Sequence, residues 1–177
     1  MKGPVLRHIV GANALLVACA VTCGAVFAAS DGRRVVLPSP RPGALADIPE
    51  STVQIIRQNG RVWLFICASV GSFGAAGAGV LAANAFRFGM DVATVGLSAP
   101  VELTFLAAHG VLEFAAFTLA AAAVQYLGWM LLRLLALNQS SGRLAIGVSA
   151  LAGSAGLVVL AAWIEALSQA ARTAGAV

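Results

Sequence analysis

Apolar residues run through this chain in long blocks, and the polar positions fall mainly between them. The first block, Ile9 to Ala29, follows Lys2 and Arg7 and holds no charge. About 20 apolar residues in a helix span a hydrocarbon core. The charged start also fits a secretory leader, but the length and composition predict a retained signal anchor. Residues 30–61 form the one extended polar stretch, with four of the chain's prolines (Pro38, Pro40, Pro42, Pro49) and five of its arginines. The Pro38–Pro42 run favours extended, solvated backbone, so an exposed loop is expected, with a short amphipathic helix from Ser51 to Arg61.

Four further apolar blocks follow. Residues 62–83 are glycine-rich and predict a second span, in which Gly71, Ala75 and Gly79 recur every four residues as a smooth stripe for close helix contact. A polar break is expected at Asn84–Asp91. The third block, residues 92–108, is short and carries Pro100 and Glu102, which suggests a broken or re-entrant span. The fourth, residues 109–137, is long, and Asn138–Gly142 reads as a turn. The last span, residues 144–167, repeats the small-residue pattern with Ala145, Ser149 and Gly153. The chain is thus expected to be all-α, a single polytopic membrane domain over residues 1–177 with about five spans.

Composition reinforces this. Of the 177 residues, 60% are hydrophobic and only 10% charged, against about 25% charged in soluble domains. Mean hydropathy is +0.91. So few charges cannot cover a water-facing surface, and the expected solvent is a lipid bilayer. The net charge of +4 comes from Lys2 and arginines scattered between apolar runs. Juxtamembrane anchoring accounts for them, and no aromatic-interleaved patch for nucleic acid exists. Cys19, Cys23 and Cys67 sit in apolar stretches without metal-ligand spacing. With five spans the arginines and lysine divide five against six between the two sides, so orientation rests on the charge-led first helix. That helix places the N-terminus in the cytoplasm and the 30–61 loop outside.

Seven acidic residues are present, and Glu102, Glu113 and Glu165 fall in or beside apolar blocks. An ionised carboxylate at mid-membrane costs at least about 2.5–3.5 kcal/mol, so it needs a partner or a purpose. His109 and Glu113 stand four apart and share a helix face, and Gly110 between them leaves room for close approach. Three readings stay open for the pair: interhelical hydrogen bonding, a functional polar site for protons or substrate, and a metal or catalytic centre. One His with two or three Glu can ligate a metal, but nothing in the spacing demands it. No metal and no cofactor is expected from the sequence. No serine lies in a nucleophile-elbow context.

The string Ala107-Ala-His109-Gly110-Val-Leu-Glu113 resembles the His-Gly-x-x-Glu signature of the stage II sporulation protein M family of integral membrane proteins. Gln58-Asn59-Gly60-Arg61-Val62, Asn84-Ala-Phe-Arg-Phe-Gly89 and Trp163-Ile-Glu165-Ala resemble further family segments in the same order, so the likeness covers about residues 55–170. Gly60, Ala85 and Ala108 depart from the residues usual there. The resemblance implies shared polar positions at Asn59, Arg61, Asn84, His109, Glu113 and Glu165. It further implies a non-enzymatic membrane scaffold that recruits membrane or envelope proteins such as cell-wall hydrolases, as the family's namesake does in spore formers. Compact relatives act in maturation, export and immunity of circular bacteriocins, which implies an alternative with a polar site at His109 and Glu113. Helix packing through Gly71, Ala75, Gly79, Gly110 and Gly153, and a homo-oligomer, complete the expectations.

Overall fold

A computed structural model describes residues 4–31, 48–96, 100–137 and 144–173. Among these the chain is helical throughout: α1 (Pro4–Asp31), α2 (Ile48–Ala68), a 3-10 turn (Ser69–Ser72), α3 (Ala75–Gly96), α4 (Pro100–Leu137) and α5 (Leu144–Thr173). The all-α expectation holds. Three helical segments are long and apolar enough to cross a membrane: Val5–Asp31, Leu106–Ala136 and Leu144–Ala171.

The middle of the chain differs from expectation. Residues 62–83 are not one helix. After Ser72 the backbone turns left-handed at Phe73 (φ 52°) and Gly74 (φ 80°), and the Phe73 and Gly74 N–H groups donate to Val70 and Ser69 carbonyls at 3.0 Å. This is a helix C-cap that glycine makes inexpensive, and α3 then runs back beside α2. The anticipated polar break at Asn84–Asp91 lies inside α3, whose ladder continues to Gly96. Its polar residues lie along one wall of a recess, with Arg87 and Asp91 still exposed, instead of interrupting the helix. The block 92–108 is no separate span: it divides between the end of α3 and the start of α4, where Pro100 takes a first-turn position that spares its missing N–H. The expected 30–61 loop is also shorter. Its first residues close α1, and the helix foreseen at Ser51–Arg61 is part of a longer α2. The proline run at 38–42 and the turn at 138–142 lie outside the described residues.

α4 is the axis of the bundle. Ala116, Phe117 and Ala120 to Ala123 are wholly buried (0% exposed), which covers every face of the helix. Alanine lets neighbours close in on all sides. Ile66, Leu81, Ala85, Phe114 and Val158 complete the core. Large apolar side chains elsewhere, among them Leu64, Phe65, Val111, Leu135, Val148 and Trp163, point outward, as lipid-facing positions do.

Helix directions follow from contacts. Asn13 of α1 donates to Gln125 Oε1 at 3.1 Å, and Gly74, at the start of α3, packs on that same Gln125. Nearer their other ends Gly24 and Gly89 face each other: a Cβ on Gly24 would meet the Phe86 carbonyl, and one on Gly89 the Val21 carbonyl. α1 and α3 therefore run in the same direction, with α4 opposed to both. The C-terminal halves of α1, α3 and α5 thus gather at one end with the start of α4. The even split of basic residues changes with this topology, because Arg87 joins Arg57 and Arg61 at that end.

The glycine stripe read from the sequence does not build this core. Gly71 and Gly79 have nothing within 4 Å of a Cβ position, and Ala75 is exposed. Ala145 and Ser149 are exposed too, and Gly153 makes only an ordinary 3.9 Å contact with Leu119. The reversal at Phe73–Gly74 also separates Gly71 from Ala75 and Gly79, so the three share no helix face.

Candidate functional site

Asn59 and Glu113 belong to helices of different polarity, yet both line one cavity of about 260 Å³. Ile55, Gln58 and Asn59 supply its α2 wall, one face at helical spacing. Asn84, Arg87, Phe88 and Asp91 form the α3 wall. Leu106, His109, Glu113 and Phe114 come from α4, and Glu165 from α5. Four helices therefore bring their polar side chains to one recess near the end where the bundle holds Arg57, Arg61 and Arg87.

Each group has a local reason for its place. Asn84 turns its amide onto the Val80 carbonyl one turn back, at 2.9 Å, so it sits within α3 without breaking it. Asn59 is 7% exposed. His109 and Glu113, one turn apart on α4, present one face to the recess, and α5 sets Glu165 opposite them. Potential ligand atoms of His109, Glu113 and Glu165 all lie within 4.8 Å of one another. The Gln169 amide donates to Glu165 Oε1 at 3.1 Å, which orients that carboxylate from one turn away. Gly110 is buried because the Phe88 ring occupies the space its Cβ would need, with Phe88 Cε2 at 2.5 Å. Phe88 then stacks edge-on to Phe114 at 5.1 Å between centroids. These rings form the apolar side of a recess that is polar on the other.

Of the sequence-derived residues, Asn59, Asn84, His109, Glu113 and Glu165 meet here. Arg61 does not: it is exposed on α2 and lines no part of the recess. The side chain of Glu102 lies outside the described set. Gln58, Arg87 and Asp91 line the recess without having been singled out. Their signal was present: Asn84, Arg87 and Asp91 recur at helical spacing on one face, a pattern that fits one polar face of a helix better than a loop. A second polar contact, Asn13 with Gln125, joins α1 to α4 deeper in the bundle, with Gln125 Nε2 returning a bond to Asn13 Oδ1 at 3.4 Å. The Trp63 indole N–H donates to Ser154 Oγ at 2.9 Å and ties α2 to α5.

Two carboxylates and an imidazole held this close, within a mostly apolar bundle, can take a proton, a cation or a hydrogen-bonding group of a ligand. In comparisons with known proteins, the family model described as stage II sporulation protein M matches residues 13–168. No curated protein and no solved structure gives a significant match.

Proposed function

The chain belongs to the stage II sporulation protein M family, and from that premise we propose that it is a membrane assembly protein that holds partner membrane or envelope proteins, such as cell-wall hydrolases, at the bilayer. The observation that supports this reading is the outward placement of the small-residue stripes. Ala75 and Gly79 are exposed on α3, as are Ala145, Ser149 and Gly153 on α5, and Gly79 has open space above it. In lipid, helices associate where small residues let backbones approach closely. Smooth faces that the bundle does not use internally are suited to a partner helix or to a second copy of the chain.

Recruitment of envelope proteins favours the orientation of the charge-led first helix, with the recess end outside. Arg57, Arg61 and Arg87 gather at that end, a departure from the usual cytoplasmic excess of basic residues.

The experiment is co-purification in mild detergent of a co-expressed wall hydrolase from the same genome with the tagged chain. Gly79→Leu, and separately deletion of residues 32–47, should lower its recovery, while His109→Ala leaves it largely intact. Recovery that survives both of the first changes and fails only with His109→Ala overturns the assignment.

The convergence of His109, Glu113 and Glu165 on one cavity favours a second reading. In it the recess is an intramembrane polar site acting on a hydrophobic peptide, as in maturation, export or immunity of circular bacteriocins. Here Glu113→Gln gives a folded, inactive protein; full function in that variant rules the reading out.

A further inference from the structure

We infer that His109, Glu113 and Glu165 form a binding site for a divalent transition-metal ion of the zinc class. The inference goes beyond both readings above, since it concerns the chain alone and needs neither a partner nor a peptide.

Geometry is the first ground. Three ligand atoms from the three side chains already lie within 4.8 Å of one another. A zinc-class ion sits about 2.0–2.2 Å from imidazole nitrogen and carboxylate oxygen, which puts tetrahedral donors about 3.3 Å apart. Closing the remaining gap takes small rotations about the glutamate side-chain bonds and leaves the backbone where it is. Rigidity is the second. His109 and Glu113 share one face of α4, the most buried helix, and Glu165 stands on α5. No ligand lies on a loop, and sites built on helices hold their geometry best. The third ground is the surrounding shell. Metal-bound carboxylates are commonly oriented by a further hydrogen bond, and Gln169 supplies one to Glu165 at 3.1 Å.

Charge points the same way. Two carboxylates this close repel when ionised, and the opposite charges of Asp91 and Arg87 on the α3 wall of the recess offset each other. A divalent ion neutralises Glu113 and Glu165 together and accepts the imidazole lone pair. The donor set of one nitrogen and two carboxylates suits zinc, manganese or ferrous iron, and lacks the thiolates that soft cuprous ions prefer. Three protein ligands also leave a fourth position open, as in sites that bind water or substrate. Here it would face a cavity of about 260 Å³ lined by Gln58, Asn59 and Asn84.

The test uses the full chain in detergent, purified on a tag free of histidine, stripped with chelator and dialysed against zinc. Metal is counted by mass spectrometry, and cobalt is substituted for its visible spectrum. The expected result is one ion per chain, loss of at least about tenfold in affinity in His109→Ala and in Glu165→Gln, and a smaller loss in Gln169→Ala. His8→Ala should bind as the parent does. Should the ligand variants fail to fold, the cobalt-loaded parent still decides: d–d bands of nitrogen and oxygen coordination support the site. No stoichiometric metal on the parent, or full binding in a folded His109→Ala, overturns it. Partner recovery is measured separately, so loss of one proposal leaves the other standing.

Discussion

Replacing Gly24 by alanine tests the packing that aligns α1 with α3. A Cβ there would overlap the Phe86 carbonyl oxygen and lie 2.8 Å from its carbon and 3.1 Å from the Met90 nitrogen. On the facing helix, a Cβ at Gly89 would overlap the Val21 carbonyl oxygen, 2.8 Å from its carbon and 2.9 Å from its Cα. All of these are backbone atoms, so no side chain can swing aside. Ordinary contact begins near 3.4 Å, and the helices must therefore move apart by about 1.5 Å to clear the two carbonyl oxygens. A gap of that size forfeits at least about half of each dispersion contact across the seam. It also disturbs the Phe27–Phe86 ring pair, whose centroids are 5.9 Å apart. Overpacking of this kind costs about 1–3 kcal/mol, and in lipid no solvent-driven term restores the contact. Each single substitution, Gly24→Ala or Gly89→Ala, should lower stability by that amount, measured by reversible unfolding in mixed micelles. The double variant should cost little more than the worse single one, because the seam opens once. Gly11→Ala and Gly79→Ala, which have nothing within 4 Å of the new Cβ, should be near neutral. A Gly24→Ala protein as stable as Gly11→Ala, or fully additive losses, would refute the close α1–α3 contact.

Other consequences are as direct. Gly74→Ala combines a left-handed backbone (φ 80°) with overlap on the Gln125 side chain, and should destabilise by about 1–3 kcal/mol; the same unfolding assay reads it, with Gly71→Ala as the neutral control. A double-mutant cycle of Asn13→Ala and Gln125→Ala should show coupling of about 0.6–1.7 kcal/mol, the range for hydrogen bonds between membrane helices; zero coupling would remove the bond from the fold. With Trp129 and Trp163 replaced by phenylalanine, Ser154→Ala should change the emission of Trp63, whose indole loses its 2.9 Å acceptor; an unaltered spectrum counts against that contact. On a cysteine-free background, Arg61→Cys and Arg133→Cys should label from opposite sides of sealed vesicles, with Arg61→Cys reached from outside if the recess end is external.

α1 and α5 were legible because their apolar runs are long and nearly uncharged, and length alone decides such helices. The interior was harder to read for two physical reasons. In the run from Gly71 to Gly79, several glycines could have turned the chain, and hydropathy does not distinguish them. Gly74 turns because Phe73 caps the 3-10 segment and Gln125 fills the space beside it, and both conditions are tertiary. Polarity is likewise ambiguous in a membrane protein. Asn84, Arg87 and Asp91 suggested an end of a helix, whereas their spacing places them on a recess wall. His109 and Glu113 were recognisable as a pair because one turn of α4 separates them, but the nearness of Glu165 depends on how α5 lies along α4. Gly24 and Gly89 gave no local sign, since each matters only for the carbonyl opposite it.

The reversal at Phe73–Gly74 bears on how the protein is made. During translation α1, α2 and α3 leave the ribosome before α4 exists, yet the polar flanks of the hairpin find their complement only on α4 and α5. Neither hairpin helix is apolar enough to qualify as a span by itself, so the pair is expected to enter the bilayer as a unit and wait against α1 until the later helices arrive. A nascent chain released after Gly96 would hold Asn59 and Asn84 without the α4 and α5 groups that complete the recess, and quality-control proteases would be expected to clear it.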